Sequence, residues 1–193
     1  MKVILVPLDG ALLLWPQVHR DGRGFFVETF QQQRYQQLGI TDTFVQDNWS
    51  RSVRGVLRGL HFQRTRPQGK LIRGVRGEIF DVAVDMRPQS ATFGCWYGVV
   101  LSEDNQCQFW LPPGMAHGFL VLSEVADVEY KCTRYFDPAD EDALCWNDPD
   151  LAIEWPLGQL PEKYPVVSER DLGAKRWQEL LATLPDKMNG KLV

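Results

Sequence analysis

The feature that most constrains the fold is a succession of short strand-like runs, each bounded by glycine, proline, aspartate or asparagine. Many short strands with regular turn signals are typical of an antiparallel sandwich or barrel. In residues 106–111, Cys107, Phe109 and Leu111 alternate with the other three residues, which predicts a half-buried strand. The clearest runs cover residues 11–15, 77–85, 96–101, 106–111, 118–122 and 127–135.

Two helices are predicted beside these strands. The first covers residues 30–38, where Tyr35 and Leu38 share one side and Gly39 follows as a stop signal. The second begins after Ser168, where the segment SERD resembles a capping box that opens into LGAKRWQELLATL. No repeat, low-complexity tract or linker interrupts the chain, so we expect residues 1–193 to form a single domain with a C-terminal helix.

The N-terminus and the cysteines indicate a cytoplasmic protein. The apolar run in MKVILVPLDGALLLWP is broken by polar and turn residues and lacks a small-x-small cleavage site, so it predicts a first strand rather than an export signal. The cysteines form no CxxC pair, which favours neither a zinc site nor a disulfide scaffold. Apolar or aromatic neighbours predict small buried thiols for all four, namely Cys95, Cys107, Cys132 and Cys145.

Charge is unevenly distributed along this chain, whose net charge is −4. Residues 51–76 contain seven arginines and one lysine and no acidic residue. This positive stretch indicates an anionic ligand held at one site, with a solvated positive face as the alternative. A nucleic-acid surface is a further possibility, against which the acidic character of the whole chain argues.

His61, in GVLRGLHFQ, is a candidate for chemistry. On a regular strand it shares a face with Gly59 and Gln63, while Arg58 points the other way. Both His61 and Arg58 reach one ligand only if the strand bends, which Gly59 permits. A structural role for this histidine is the competing interpretation.

His117 lies in the stretch PPGMAHGF, whose first six residues resemble the second cupin motif, P-x-G-x-x-H. The turn formed by its prolines and glycine delivers the imidazole at the start of a strand. Metal-binding cupins carry a histidine pair in their first motif, and this chain has His61-x-Gln63 there instead. Two isolated histidines make a poor transition-metal site, so we expect no bound metal.

Tyr130 and Lys70 complete the candidates that carry chemistry. Tyr130 alternates in phase with Val128 and Cys132 and is expected to point into the barrel, as a core tyrosine or as a functional phenol. Lys70 begins a strand within the positive stretch. Its amine either reaches solvent past an apolar surface or stabilises an oxyanion that develops on a ligand.

Taken together, these motifs resemble those of the dTDP-4-dehydrorhamnose 3,5-epimerases over nearly the whole chain. The matching stretches, in order, are DGRGFF, FVQDNWS, GVLRGLHFQ, QGKLIRGVRGEIFDVAVDMR, FWLPPGMAHGF, EYKCTRYFDPADE and CWNDPDLAIEWP. The resemblance implies a mainly β, cupin-like antiparallel barrel or jelly roll. It also implies a homodimer that needs no metal or organic cofactor and acts on a dTDP-4-keto-6-deoxy sugar.

The resemblance assigns a role to each candidate. His61 is implied as the base, Tyr130 as the acid on the other ring face and Lys70 as the group beside the enolate oxygen. Asp171 is implied to orient His61, and a helix-capping role is equally open at this point. Implied ligands of the nucleotide or sugar are Arg23, Glu28, Gln46, Asp47, Asn48, Arg58, Lys70, His117, Glu141 and Arg170.

The resemblance further implies that the segment around Arg23 and Glu28 reaches into the partner subunit's site. His19 falls where these enzymes have an aromatic residue beside the base, and we expect it to serve in packing. The implied reaction is epimerisation at carbons 3 and 5 in dTDP-L-rhamnose synthesis. The alternatives are a single-carbon epimerase, a keto-isomerase, a metal-dependent cupin oxygenase and a non-catalytic sugar-binding module.

Overall fold

The computed structural model describes residues 1–183, which form two β-sheets with three short helices. This architecture confirms the expected mainly β, cupin-like fold. The helices are α1 (Gln32–Gln36), α2 (Glu169–Leu172) and α3 (Trp177–Leu181). The strands are β1 (Lys2–Leu5), β2 (Leu12–Trp15), β3 (Val18–Asp21), β4 (Gly24–Val27), β5 (Gln46–Val53), β6 (Val56–Gln63), β7 (Lys70–Arg76), β8 (Glu78–Asp85), β9 (Trp96–Ser102), β10 (Gln108–Leu111), β11 (Met115–Val121), β12 (Val125–Cys132), β13 (Glu141–Ala143) and β14 (Val166–Val167).

The two sheets interleave strands from distant parts of the chain. The first has the order β1-β2-β10-β7-β12-β5, and the second has the order β13-β6-β11-β8-β9. Pairing is antiparallel in both, except that β14 adds to β6 in parallel. β3 and β4 form a separate hairpin. Because consecutive strands such as β11 and β12 lie in different sheets, the chain closes around its core as a jelly roll does.

The main core combines side chains of both sheets. Ile72 of β7 and Phe109 of β10 cluster with Ala83 of β8 and Phe119 of β11, and all four are buried. A second apolar cluster packs the second sheet against the later part of the chain, including Trp155. Full burial of a large apolar side chain contributes roughly 1.5–3 kcal/mol, so these two clusters hold the sheets in a fixed arrangement.

The alternating sequence predicts that strand β10 is half-buried, but both faces of this strand are covered. Phe109 belongs to the main core, whereas Trp110 packs in a third cluster beneath α1. Gln108 shares that outer face, where its side chain accepts the Tyr35 hydroxyl at 2.6 Å and donates to the carbonyl oxygen of Thr29 at 2.7 Å. The polar side chain is buried there because α1 and its approach satisfy its hydrogen bonds.

The C-terminal helix is shorter than predicted and is split in two. α2 ends at Leu172, and α3 begins only at Trp177. Between them the chain forms a parallel bridge from Lys175 to Leu144, so sheet-like hydrogen bonds replace helical ones. Residue 184, the last of the predicted helix, lies outside the described residues. The first predicted helix, over residues 30–38, is likewise reduced to α1.

The cysteines and the N-terminus match most of what the sequence predicts for them. β1 forms where a first strand is predicted, and all four cysteines are free. Three of them are buried, but Cys95 is exposed. It precedes Trp96, whose ring packs against the second cluster, so the Cys95 side chain is left on the outer side of the chain. Within residues 1–183, no helix has the length and apolar character needed to cross a membrane.

Candidate active site

An open cavity of about 610 Å³ is lined by strands of both sheets and by α2. Most of the side chains singled out from the sequence meet in it, although they come from seven different elements. Those that line it are Gln46, Asn48, Arg58, His61, Lys70, His117, Tyr130, Glu141, Arg170 and Asp171. The fold therefore brings the candidate base, acid, amine and guanidinium groups together in one place.

His61 and Asp171 form a hydrogen-bonded pair in the cavity wall. His61 Nε2 lies 2.7 Å from Asp171 Oδ1, and Asp171 Oδ2 accepts the N–H of Gly59 at 3.3 Å. Ser168 caps α2 by accepting the N–H of Asp171, which leaves the Asp171 carboxylate for the histidine. Burial raises the pKa of Asp171, but the hydrogen bonds from His61 and Gly59 outweigh it and hold the pKa below its usual value. His61 therefore faces an ionised carboxylate.

Arg58 and His61 reach the same cavity because β6 carries an extra residue between them. β11 pairs His117 with His61 and Phe119 with Arg58, so three steps along β6 match two steps along β11. Gly59 lies in this bulge with a φ of +116°, and a Cβ there would come within 2.6 Å of the His117 carbonyl oxygen. The bend that the sequence requires at Gly59 is thus present.

Lys70 and Tyr130 bring an amine and a phenol into the cavity from the first sheet. Lys70 is buried, and its Nζ lies 3.4 Å from the carbonyl oxygen of His61. Burial lowers the pKa of this amine, while neighbouring acidic groups oppose that shift. Burial also raises the pKa of Tyr130, so its hydroxyl keeps its proton near neutral pH. Such groups suit an oxyanion and a proton transfer.

The rim of the cavity carries guanidinium groups. Arg58 Nε donates a hydrogen bond to Ser52 Oγ at 2.9 Å, which fixes the Nε side of the guanidinium group. Arg170 of α2 forms an ion pair with Glu141 of β13. A guanidinium presents several donors in a plane and matches the oxygens of a phosphate, so this rim is chemically suited to a diphosphate.

The positive stretch 51–76 does not gather at one site. Arg58 and Lys70 line the cavity, whereas Arg51 and Arg73 pair with acidic side chains of β12. Side chains alternate between the two faces of a strand, so one positively charged segment is distributed over both sides of the sheets. Arg58 and Lys70 therefore remain available to an anionic ligand in the cavity, whereas the charges of Arg51 and Arg73 are balanced by carboxylates and form no unpaired positive face.

Three predicted ligands do not line the cavity of their own chain. Asp47 points to the opposite face of β5 from Gln46 and Asn48, and it pairs with Lys131. Arg23 lies in the turn of the β3–β4 hairpin with its side chain 92% exposed, and it pairs with Asp21 at the end of β3. Glu28 follows the hairpin and pairs with Arg34 of α1. The hairpin residues are thus separated from the groups that surround His61.

The sequence reasoning missed Asp81 of β8, which lies behind the cavity. Asp81 Oδ2 is 2.8 Å from His117 Nε2, and the Asp81 side chain is completely buried. A signal for it exists in the sequence. Ile79 and Ala83 flank Asp81 on the inward side of β8, so an acidic residue stands in an otherwise apolar row.

The metal-binding residues of the cupins are not reproduced. Gln63, at the position of the second histidine, donates to the carbonyl oxygen of Arg66 at 2.8 Å and accepts the N–H of Asp137 at 2.8 Å. It therefore braces a neighbouring loop. His61 and His117 each bond to a carboxylate. Over the described residues 1–183, no group of three or more histidine, cysteine, aspartate or glutamate side chains is arranged to hold a metal ion.

Comparison with known proteins gives consistent matches. The family model for dTDP-4-dehydrorhamnose 3,5-epimerase matches residues 6–179. The dTDP-4-dehydrorhamnose 3,5-epimerase of Methanothermobacter thermautotrophicus is 50% identical over 179 residues, which cover 93% of this chain and 94% of the relative. The dTDP-6-deoxy-D-glucose-3,5-epimerase of Legionella pneumophila, in complex with dTDP-4-keto-L-rhamnose, is 49% identical with a TM-score of 0.88, covering 97% and 96% of the two chains.

One further similar structure differs in its reaction. ChmJ of Streptomyces bikiniensis, in complex with dTDP-quinovose, is a 3'-monoepimerase. It is 34% identical to this chain with a TM-score of 0.84, and the match covers 93% of this chain and 91% of ChmJ. The same fold therefore supports epimerisation of one carbon as well as two.

Proposed function

The chain belongs to the dTDP-4-dehydrorhamnose 3,5-epimerase family, and we propose that its reaction takes place in the cavity between His61 and Tyr130. It is an isomerase of dTDP-rhamnose synthesis that epimerises a dTDP-4-keto-6-deoxyhexose at carbons 3 and 5. Protons on both carbons are acidic, because each carbon lies beside the ketone and its deprotonation gives an enolate. Such an enzyme needs a base, an acid on the opposite ring face and a positive group near the keto oxygen.

The observation that carries this assignment is the pairing of His61 with the ionised Asp171 at 2.7 Å. The carboxylate accepts the Nε2 proton, so Nδ1 is the nitrogen that remains to take a proton from the substrate. Tyr130, which keeps its own proton, returns one from the other face. Lys70, buried beside His61, stabilises the negative charge that develops on the enolate oxygen.

The nucleotide end of the substrate is held at the rim. Arg58 and Arg170 bind the diphosphate, and their guanidinium planes supply paired donors to its oxygens. Gln46, Asn48 and Glu141 line the adjoining wall and contact the nucleotide or the sugar. His117 contacts the sugar from the floor of the cavity.

The active form is a homodimer with shared sites. Support comes from the β3–β4 hairpin, which exposes Phe25 and Phe26 and keeps Arg23 away from its own cavity. Exposed aromatic side chains on a short hairpin favour burial against another chain. His19 pairs with Phe26 in this hairpin and is exposed, so its packing role is also exerted on a partner. Arg23 and Glu28 thereby complete the site of the other subunit.

The reaction uses no metal or organic cofactor, and it takes place in the cytoplasm. The first proposal is supported by the two histidine–carboxylate pairs, which occupy the imidazoles that a metal would require. The second is supported by the four free thiols, which suit a reducing compartment.

The decisive experiment follows isotope from solvent. The purified protein is incubated with dTDP-4-keto-6-deoxyglucose in deuterated water, and NMR locates the incorporated deuterium. Label at carbons 3 and 5 is expected, together with a product that is competent for reduction to dTDP-L-rhamnose. His61→Ala serves as the control that forms no enolate.

The competing candidate is epimerisation of a single carbon, the reaction of the similar 3'-monoepimerase ChmJ. In that case the sugar is held in one pose with only one carbon within reach of His61. Deuterium confined to one carbon after many turnovers would establish this alternative. If neither carbon 3 nor carbon 5 took up deuterium, both candidates would be contradicted.

A further inference from the structure

Two histidines that line the cavity from adjacent strands are each paired with an aspartate. His61 of β6 and His117 of β11 are directly opposite in the strand register. Each imidazole uses its Nε2 for a carboxylate, Asp171 for His61 and Asp81 for His117, at 2.7 Å and 2.8 Å. Each therefore has Nδ1 as the nitrogen available to a ligand. Two such pairs with the same chemistry would be redundant, unless their carboxylates hold protons differently.

The surroundings of the two carboxylates are indeed different. Asp171 accepts a second hydrogen bond, from the N–H of Gly59, and its pKa lies below the usual value. Asp81 is completely buried, and its Oδ1 accepts no hydrogen bond from any residue in the part of the chain that the structure describes. Burial raises the pKa of Asp81, against the opposing influence of His117 and Lys70. A buried carboxylate with so few donors retains a proton far more readily than one that is well solvated or well bonded.

Other titratable groups face the His117–Asp81 pair from the strands around it. They are Lys70 on β7, Tyr130 and Cys132 on β12, Arg58 and His61 on β6, Glu141 on β13 and Tyr97 on β9. The Tyr130 ring packs edge-on against His117, with 6.1 Å between the centroids. Of these groups, Lys70 is the buried cation that acts on Asp81, and burial lowers the pKa of Lys70 itself. A second donor close to Lys70 would therefore add to the stabilisation that this one amine gives to an oxyanion beside it.

We propose that Asp81 is a positioning residue that keeps Nδ1 of His117 protonated, so that this imidazole donates a hydrogen bond to the enolate oxygen beside Lys70. The role rests on the epimerisation proposed for this cavity. The pair holds one proton between Nε2 and Oδ2 and a second proton on Nδ1. No proton is transferred to the substrate in this step, because the hydrogen bond only shortens as negative charge develops on the oxygen.

The two pairs then have opposite tasks set by their environments. The ionised Asp171 leaves Nδ1 of His61 bare, which makes that imidazole a base. The proton-retaining Asp81 leaves Nδ1 of His117 occupied, which makes that imidazole a donor. When the environments of two titratable groups push their pKa values apart in this way, one group can act as the acid and the other as the base. A donor aimed at a developing oxyanion is among the larger contributions that an enzyme makes to rate.

The protonation of His117 is measured directly by ¹⁵N NMR of histidine-labelled protein without substrate. The chain has only three histidines, so the His117 signals are identified by their loss in His117→Gln. At about pH 8, above the ordinary imidazole pKa of about 6.5, wild-type Nδ1 of His117 is expected to be protonated. In Asp81→Asn the amide accepts the Nε2 proton, and Nδ1 is expected to be bare. A bare Nδ1 in the wild type would overturn the proposal, even if Asp81→Asn failed to fold.

Kinetics test whether this proton matters for the reaction. In Asp81→Asn, kcat is expected to fall on the order of 10²-fold with KM little changed, since the lost interaction forms mainly in the transition state. The double variant Asp81→Asn/His117→Gln should be no slower than His117→Gln, because Asp81 acts only through His117. The matched control is Asp127→Asn, a buried carboxylate outside the cavity, which should leave kcat near the wild-type value.

The outcomes separate this inference from the proposed function. If the wild type does not epimerise, the proposed function fails, while the NMR measurement still decides the state of the pair. If the wild type epimerises but the two single-variant losses multiply in the double variant, Asp81 does not act through His117 and the proposal is wrong. Normal kcat in Asp81→Asn would overturn it as well.

Discussion

His61 and Asp171 are 110 residues apart in the chain, yet His61 Nε2 lies 2.7 Å from Asp171 Oδ1. The contact exists because β14 adds in parallel to β6 and α2 follows directly, which lays the C-terminal segment beside the strand that carries His61. The proposed base and the carboxylate proposed to orient it therefore meet only because of a late element of the fold. This relationship makes Asp171 a direct target for a test.

Asp171→Asn should lower kcat on the order of 10²-fold or more, because the amide no longer stabilises the protonated imidazole of His61. Steady-state kinetics at neutral pH measures the loss. The matched control is Ser168→Ala, which removes the cap of α2 and should cost about 1 kcal/mol of stability while largely sparing kcat. If the two variants behave alike, Asp171 serves the helix rather than the base.

Substitutions of the two proposed proton carriers, His61 and Tyr130, should have different effects. His61→Ala should abolish both product formation and exchange of substrate protons with solvent, a loss on the order of 10²- to 10⁴-fold for removal of a general base. Tyr130→Phe should still allow His61 to remove a proton and return it to the same face. NMR in deuterated water therefore should show exchange without inversion in Tyr130→Phe. Equal loss of exchange in both variants would contradict the assigned roles.

Gly59→Ala should destabilise the protein by more than about 1 kcal/mol, because the residue adopts φ of +116° and its new Cβ would collide with the His117 carbonyl. The collision also displaces the strand between Arg58 and His61, so activity should fall. Gly158→Ala is the matched control, since a Cβ there meets nothing within 4 Å. Thermal unfolding measures the stability of the two variants, and steady-state kinetics on the same samples measures their activity. Equal stability in the two variants would mean that the bulge in β6 is not required.

Hybrid dimers test the shared site. Arg23→Ala and His61→Ala chains, inactive separately, should regain activity when their subunits are mixed, because one site of each hybrid is intact. Random exchange of subunits gives about a quarter of the wild-type sites. A mixture of His61→Ala with Tyr130→Phe is the control, since those residues line the cavity of one chain and cannot complement. Absence of recovery, with subunit exchange verified, would contradict the role of the hairpin.

Acid stability should depend on Asp85. Burial raises its pKa, but hydrogen bonds from Arg87, Ser90 and Thr92 outweigh burial and hold the pKa below its usual value. The stabilisation is complete above the unfolded-state pKa of about 3.9 and is lost as pH falls through the lower native pKa. In Asp85→Asn, the free energy of unfolding should be smaller at neutral pH and fall less steeply below about pH 4.

Denaturant unfolding at a series of pH values measures this slope. Asp42→Asn is the control, because this aspartate is exposed and lies outside the Asp85 network. It should keep the wild-type dependence on pH. An Asp85→Asn curve parallel to that of the wild type would show that the network contributes no acid-sensitive stability.

Several features of the fold and site were predictable because they depend on local chemistry. Alternation and turn residues locate the strands, and Ser168 caps its helix as SERD indicates. The turn in PPGMAHGF delivers His117 near the start of β11, and the phase of β12 turns Tyr130 inward. Each of these depends on residues within a few positions of one another. The motif order then places the chain in its family.

Other features were missed because they depend on distant parts of the chain. β10 is covered on both faces because α1 packs on one of them, which its own alternation cannot indicate. The second helix is interrupted where Lys175 forms a bridge to Leu144. Local helix propensity cannot indicate this interruption, because the bridge depends on a distant residue. The apolar row of β8 marks Asp81 as unusual, but it cannot indicate the partner His117, which lies on another strand 36 residues later.

The sequence by itself determined the strand-rich class, the family and the side chains capable of acid–base chemistry, because those follow from residue types and their local spacing. Only the tertiary structure decided which of those side chains meet. It joined His61 to Asp171, drew Arg58 to the same side through the bulge at Gly59 and turned Asp47 and Arg23 away from their own cavity. The physical reason is that strand register and sheet order are set by the packing of the whole core, whereas a sequence motif records only its own neighbours.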